Sequence, residues 1–192
     1  LKSLYLKNNH VPYIDAELFQ NLTNLENLDL TMNTIKHTDP EAFQSLHSLE
    51  QLSLAQNQLT SIDPKLFSKL TKLKILYLQS NKISDVHLDT FQHLHNLEYV
   101  SLGKNQLTSV DTKLFQNSTK LTSVLLYGNR ICSINISTIL KLLVRLQRFS
   151  VCDNPINVTF CDDLSSLRNN KSTAYECVVS KPAEVKSADS VV

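Results

Sequence analysis

The side chains of this chain that could take part in catalysis or metal binding are dispersed along the sequence rather than clustered. Two histidines, His93 and His95, lie two residues apart. A set of aspartates recurs at multiples of 24 residues: Asp15, Asp39, Asp63 and Asp111. Neighbouring imidazoles can hold a metal ion and paired carboxylates can serve as general acid and base, but both sites need further groups close by. The sequence contains no Gly-rich phosphate loop and no Gly-x-Ser-x-Gly turn. We therefore predict no catalytic residue, no metal site, no cofactor and no enzymatic activity.

The spacing of the aspartates is part of a repeat that runs through most of the chain. Asparagines recur every 24 residues, and the seventh comes one residue late: Asn9, Asn33, Asn57, Asn81, Asn105, Asn129 and Asn154. The same apolar frame surrounds each of them, as in Leu49-x-x-Leu52-x-Leu54-x-x-Asn57-x-Leu59-x-x-Ile62. A repeat of this length predicts a solenoid, in which each unit buries its apolar face against the next unit.

Each repeat contains three segments with distinct structural roles. The alternation in Leu-x-x-Leu-x-Leu predicts a short strand with one buried face, and successive strands stack in parallel about 4.8 Å apart. The asparagine amide is expected to bond backbone groups of its own turn and of adjacent turns. An aspartate before the outer segment, as in Asp39-Pro40, predicts the N-cap of a helical turn, and a longer helix is expected over Ser137–Val144. Ten residues after each of the first five asparagines comes a phenylalanine of a predicted outer spine: Phe19, Phe43, Phe67, Phe91 and Phe115.

The complete pattern, L-x-x-L-x-L-x-x-N-x-L-x-x-I-x-x-x-x-F-x-x-L, resembles the typical subclass of extracellular leucine-rich repeats. Toll-like receptor ectodomains, lamprey variable lymphocyte receptors, insect immune leucine-rich-repeat proteins and neuronal adhesion receptors share this frame. The resemblance implies an α/β fold, a right-handed solenoid curved into a horseshoe. A parallel β-sheet would form its concave face, short helical turns its convex face and a cysteine-containing cap its C-terminal end. We expect repeats over residues 1–154, a disulfide cap over 155–178 and a flexible tail over 179–192.

Cysteines and glycosylation signals indicate an oxidising, extracellular environment. Four cysteines allow three pairings, and we favour Cys132–Cys161 with Cys152–Cys177 because Cys132 and Cys152 lie at different heights of adjacent turns. Five N-x-Ser/Thr signals predict glycosylation: Asn21, Asn117, Asn135, Asn157 and Asn170. An even number of cysteines together with outward-facing glycosylation signals favours a secreted protein or a cell-surface ectodomain.

The outward-facing strand positions change character along the solenoid. Repeats one to three are small and polar there, whereas repeats four to six carry an aromatic and aliphatic group: Ile75, Tyr77, Tyr99, Leu125 and Tyr127. Exposed clusters of this composition are typical of interface hot spots. We therefore predict that these five residues bind a protein or glycan ligand, and the resemblance implies that they do so in an innate immune or adhesion protein. Two alternatives remain open: a structural or matrix protein, and a fragment of a larger receptor whose ligand site lies elsewhere.

Charge and hydropathy narrow the expected partners. The formal net charge is +1 without clustered Lys and Arg, which argues against nucleic acid and against an anionic membrane surface. No apolar stretch approaches the roughly 18–20 residues of a membrane span. The chain begins within a repeat and leaves Leu1, Leu4 and Leu6 uncovered. We expect either that an upstream cap has been removed or that a second copy covers this end, which would form a homo-oligomer.

Overall fold

The computed structural model describes residues 1–156, and within them the repeats form one parallel sheet. Its seven strands are β1 Ser3–Tyr5, β3 Asn27–Asp29, β5 Gln51–Ser53, β6 Ile75–Tyr77, β7 Tyr99–Ser101, β8 Ser123–Leu125 and β9 Arg148–Ser150. They pair in that order, each in register with its equivalent in the next repeat, as Leu52 is with Leu76. The last step, from Val124 to Phe149, absorbs the one-residue insertion before Asn154 without a break in register. The predicted parallel solenoid is therefore confirmed, while the predicted cap and tail lie outside the described residues.

The repeated asparagines form a ladder of hydrogen bonds that ties each repeat to the previous one. Asn81 is buried; its Nδ2 donates to the carbonyls of Leu54 and Leu78 at 2.9 and 3.0 Å. Its Oδ1 accepts the backbone N–H of Leu59 at 3.1 Å. From Asn33 to Asn154 the same Oδ1 bond recurs at 2.9–3.2 Å. The amide thus pairs backbone groups that the turn would leave buried and unpaired, at a cost of about 1–3 kcal/mol each.

The phenylalanine spine sets the spacing of the repeats on the convex side of the solenoid. All five phenylalanines are buried, and neighbouring rings lie 6.0–6.4 Å apart in the measured pairs Phe19–Phe43, Phe67–Phe91 and Phe91–Phe115. Adjacent strands of a sheet are only about 4.8 Å apart. The wall of rings is therefore wider per repeat than the sheet, and this difference curves the solenoid with the sheet on the inside.

The outer segments differ from repeat to repeat more than the sequence pattern indicates. The first three form turns, the fourth and fifth form 3-10 helices at Leu88–Phe91 and Thr112–Phe115, and the sixth forms the α-helix α1, Ile136–Leu142. A second small parallel pair, β2 Tyr13–Ile14 with β4 His37–Thr38, joins the first two repeats on one flank. Backbone bonds from Lys36 to Pro12 and from Asp39 to Ile14, at 3.0 and 2.8 Å, hold this pair together. The repeated apolar pattern does not predict this β2–β4 pair.

One outer segment has an unusual cap, which leads to a first prediction. Asp111 caps its 3-10 helix by accepting the N–H of Lys113 at 2.8 Å, whereas His87 uses Nδ1 to accept the N–H of Asp89 at 3.2 Å. Asparagine is among the best N-cap residues, and at this position it adds no charge beside Asp89. We expect His87→Asn to raise the free energy of unfolding by about 0.5–1 kcal/mol, measured by urea denaturation at neutral pH. The matched control is His93→Asn, an exposed histidine that caps no helix, and it should leave stability unchanged. A loss of stability in His87→Asn would show that the histidine ring makes a packing contribution larger than the cap.

Candidate ligand-binding surface

Two tyrosines on adjacent strands form the centre of the concave surface. Tyr77 ends β6 and Tyr99 begins β7, and their ring centroids are 5.2 Å apart with planes tilted by 53°. Because Ile75 pairs with Tyr99 and Tyr77 pairs with Ser101, the two tyrosines are diagonal neighbours across the strands. A tilted pair at this distance is a favoured aromatic arrangement, which fixes the two rings against each other.

Tyr127 extends the same surface from the next repeat. It lies two residues beyond β8, and its ring covers Gly103, which occupies the equivalent position after β7. We call Ile75, Tyr77, Tyr99 and Tyr127 the tyrosine surface. All four side chains are half-buried, so each presents part of its area to a ligand while its remaining area is packed.

Leu125, the fifth residue expected at this surface, lies deeper than the sequence suggested. Only 6% of it is exposed. The same central strand position is also buried in three other repeats, at Ser53, Ser101 and Ser150. A concave sheet brings neighbouring side chains together over its central column, which accounts for this burial. Leu125 therefore offers a ligand little area.

The surroundings of Tyr99 raise the pKa of its hydroxyl above the ordinary value. Burial is the main cause that raises the pKa of Tyr99, and the neighbouring Tyr77 adds to the increase. A hydrogen bond with Ser101 and the positive charge of Arg148 act in the opposite direction. At neutral pH the group is thus a hydrogen-bond donor with a cationic side chain nearby.

The amino-terminal half of the concave sheet differs because its polar side chains bond one another. Thr31 Oγ1 and Ser53 Oγ lie 2.6 Å apart, and Asn27 Nδ2 donates to Ser3 Oγ at 3.1 Å. Polar groups that are already paired gain less from a ligand, since binding must replace those bonds. The tyrosine surface is therefore the better candidate for ligand contact.

The other residues singled out in the sequence are spread along the solenoid. Asn21 and Asn135 are exposed, and Asn117 is half-buried with its Nδ2 donating to the Gln92 carbonyl at 3.0 Å. Asn135 also caps α1, accepting the N–H of Thr138 at 3.0 Å. Asn157 and Asn170 lie outside the described residues, so glycosylation at all five positions stays a prediction.

The cysteines and histidines add no second site within the described part of the chain. Cys132 is exposed and Cys152 is half-buried, but the predicted partners Cys161 and Cys177 lie outside residues 1–156, so the pairing stays a prediction. His93 and His95 are exposed. Residues 1–156 contain no group of three or more His, Cys, Asp or Glu side chains that could hold a metal ion.

Sequence reasoning missed Gly103 as a residue of the surface. The available signal was that glycine occurs only twice in the chain, and that the equivalent positions Ala55, Gln79 and Tyr127 all carry side chains. That signal becomes informative only when the orientation of the Tyr127 ring is known.

Comparison with known proteins places this surface within a family. A family model described as leucine rich repeat matches residues 1–59, 23–83, 49–107 and 71–131. The chain belongs to the leucine-rich repeat family. No curated protein gave a significant match to the chain.

A solved structure with the same fold identifies a relevant relative of this leucine-rich repeat protein. The crystal structure of a TLR13–ssRNA13 complex superposes with a TM-score of 0.76 at 29% identity. The match covers 81% of this chain and 22% of that chain. The predicted resemblance to Toll-like receptor ectodomains is thus confirmed, and this chain spans 22% of the length of that relative.

The same comparison corrects one prediction from the sequence. The near-neutral charge and the lack of clustered Lys and Arg predict no nucleic-acid partner, and that prediction is wrong, because a leucine-rich repeat protein of similar fold is solved with single-stranded RNA. Net charge is a sum over the whole chain, whereas binding depends on the charges near the contact surface.

Within residues 1–156, no helix has the length and apolar composition that crossing a membrane requires.

Proposed function

We propose that this chain is a non-catalytic recognition module that binds its ligand through the tyrosine surface. The observation that carries the proposal is the Tyr77–Tyr99 pair, packed at 5.2 Å yet half-buried, on the concave side of a rigid sheet. Aromatic side chains lose little conformational entropy on binding when they are already fixed, and they contribute much of the energy of interfaces. The Toll-like receptor fold supports an ectodomain in the extracellular space or the endosomal lumen, in innate immune recognition or adhesion.

Single-stranded RNA is the first ligand that we propose. Proteins that bind single strands combine aromatic side chains, on which bases stack, with basic side chains that contact the backbone. The tyrosine surface supplies three rings, and the exposed Arg148 lies two strands from Tyr99 in the same column of the sheet, since Tyr99 pairs with Ser123 and Ser123 pairs with Arg148. The relative solved with single-stranded RNA supports the same ligand class.

Substitution of the central tyrosines tests the proposal. We expect Tyr77→Ala and Tyr99→Ala each to weaken binding of a fluorescent single-stranded RNA by roughly 5- to 150-fold, since stacking contributes about 1–3 kcal/mol per base. Fluorescence anisotropy at one fixed salt concentration measures the change, because phosphate contacts make affinity depend on salt.

The matched control is Tyr5→Ala. Tyr5 occupies the same strand position in β1 and is 71% exposed, but it lies three repeats away from Tyr77. Its substitution should leave the affinity unchanged. Equal losses for Tyr5→Ala and Tyr77→Ala would indicate non-specific binding and would refute the tyrosine surface as the site.

A protein or glycan ligand is the second candidate, favoured by the mixture of hydroxyl-bearing rings with Ile75 in one patch. Binding of a glycan array or of a purified protein that is lost in Tyr77→Ala, with no binding of RNA, would support it. If no variant of the tyrosine surface changes any interaction, a scaffolding role or a ligand site in another part of a larger receptor becomes the better account.

A further inference from the structure

We propose that Gly103 determines the shape of the ligand-binding surface by seating the ring of Tyr127. The inference rests on the proposed function and adds a specificity-determining residue to the same site. It concerns the column of residues that lies two positions beyond each strand, where Gln79, Gly103 and Tyr127 follow one another. Backbone bonds from Ser80 to Gly103 at 2.9 Å and from Lys104 to Tyr127 at 2.7 Å fix these three residues as neighbours.

The backbone does not require glycine at this position. Gly128 has a φ of +64°, in the left-handed region, but Gly103 lies outside that region. Equivalent positions in other repeats carry alanine, glutamine and tyrosine. The absence of a side chain therefore serves a steric purpose.

That purpose is visible in the position of the Tyr127 ring. A Cβ on residue 103 would lie 2.4 Å from Cε1, 2.6 Å from Cζ and 2.7 Å from Cδ1 of Tyr127. These distances are far below van der Waals contact, so a methyl group and the ring cannot both occupy this space. Gly103 is itself buried. The Tyr127 ring therefore lies over Gly103, on the preceding repeat.

Gln79, which precedes Gly103 in the same column, has an unpaired acceptor in its side chain. The side-chain oxygen of Gln79 is buried and has no hydrogen-bond partner among the residues that the structure describes. A planar ligand group stacked beside Tyr127 that carries an N–H at its edge, as a nucleobase does, supplies the donor when the carboxamide rotates towards it. The arrangement selects planar groups with a donor edge and disfavours saturated rings.

A double-mutant cycle tests the role of Gly103 with a single-stranded RNA as the probe. Gly103→Ala should displace the Tyr127 ring and weaken binding roughly five-fold or more, as loss of one stacking contact does. Tyr127→Ala should weaken binding to a similar extent. In the double variant, Gly103→Ala should have no further effect, because the ring on which it acts is gone.

The outcomes separate this inference from the proposed function. The role of Gly103 would be overturned if Gly103→Ala bound as tightly as the wild-type chain, or if the two effects added in the double variant. The proposed function would still stand in that case if Tyr77→Ala weakened binding. Failure of the wild-type chain to bind the RNA would overturn the role of Gly103 and the RNA ligand, and the tyrosine surface would then be tested with a protein or glycan. Unchanged binding in Tyr77→Ala would overturn both the role of Gly103 and the tyrosine surface as the site. Urea denaturation of Gly103→Ala should match the wild-type curve, since the displaced ring can rotate into solvent, and a large loss of stability would show that the residue acts on the fold instead.

Discussion

Substitution of Asn81 by alanine is expected to lower the free energy of unfolding by about 3–5 kcal/mol, because one buried N–H loses its acceptor and two buried carbonyls each lose one of two donors. The N–H of Leu59 loses its acceptor. The carbonyls of Leu54 and Leu78 lose the Asn81 donor but keep hydrogen bonds from the amides of Asn57 and Asn105 at 3.1 and 3.0 Å. Water cannot replace these bonds readily, since Asn81 lies in the middle of the stack with only 8% of its surface exposed. Urea denaturation followed by circular dichroism measures the loss.

The control for this prediction is another asparagine that bonds the backbone of the previous repeat. Asn96 donates to the Thr71 carbonyl at 2.8 Å, but the bond is exposed to solvent. Asn96→Ala should cost less than about 1 kcal/mol because water can satisfy the carbonyl. Asn81→Asp, which keeps the volume but places a carboxylate against two carbonyls, should be as destabilising as Asn81→Ala. Similar, small losses in all three variants would show that the ladder is not a main source of stability.

The features that the sequence predicts well are those that every repeat must satisfy in the same way. Asn57, Phe67 and the leucines around them are buried as expected, because a parallel stack repeats one environment and a 24-residue period leaves no freedom of register. Several copies of one pattern also show which positions are apolar in every repeat. The resemblance to Toll-like receptor ectodomains follows from the same residues.

The features that the sequence does not predict depend on contacts between non-equivalent side chains. The burial of Leu125 results from the curvature of the sheet and from its neighbours, neither of which a single repeat encodes. The position of the Tyr127 ring depends on a glycine 24 residues earlier. The β2–β4 pair and the change from turns to 3-10 helices also vary between repeats whose apolar frames are alike.

The candidate site was thus only partly accessible to sequence reasoning. Alternation along each strand places Tyr77 and Tyr99 on the concave side, but their 5.2 Å packing and the influence of Arg148 on Tyr99 require coordinates. The prediction of no nucleic-acid partner was wrong for the same reason: the sequence alone does not show which basic side chains lie near the rings.

The second large loss of stability is expected at the phenylalanine spine, which curves the sheet around the tyrosine surface. Phe91 is fully buried and lies between Phe67 and Phe115, with ring centroids at 6.4 and 6.1 Å. We expect Phe91→Ala to lower the free energy of unfolding by about 3–5 kcal/mol, because the cavity left at the centre of the spine removes contacts to both neighbouring repeats. Denaturation in urea measures this loss, and Phe91→Leu, which retains most of the volume, should lose less and remain folded.

The matched control for the spine lies on the same 3-10 helix. Leu88 begins that helix and is 39% exposed, so Leu88→Ala changes a large apolar side chain outside the spine and should cost less than about 1 kcal/mol. If the rings set the curvature, small-angle scattering of Phe91→Leu should also show a changed radius of gyration, while Leu88→Ala should not. Removal of a buried ring should cost more stability than removal of a partly exposed leucine. If Phe91→Ala lost no more stability than Leu88→Ala, the phenylalanine spine would not be what stabilises the convex side.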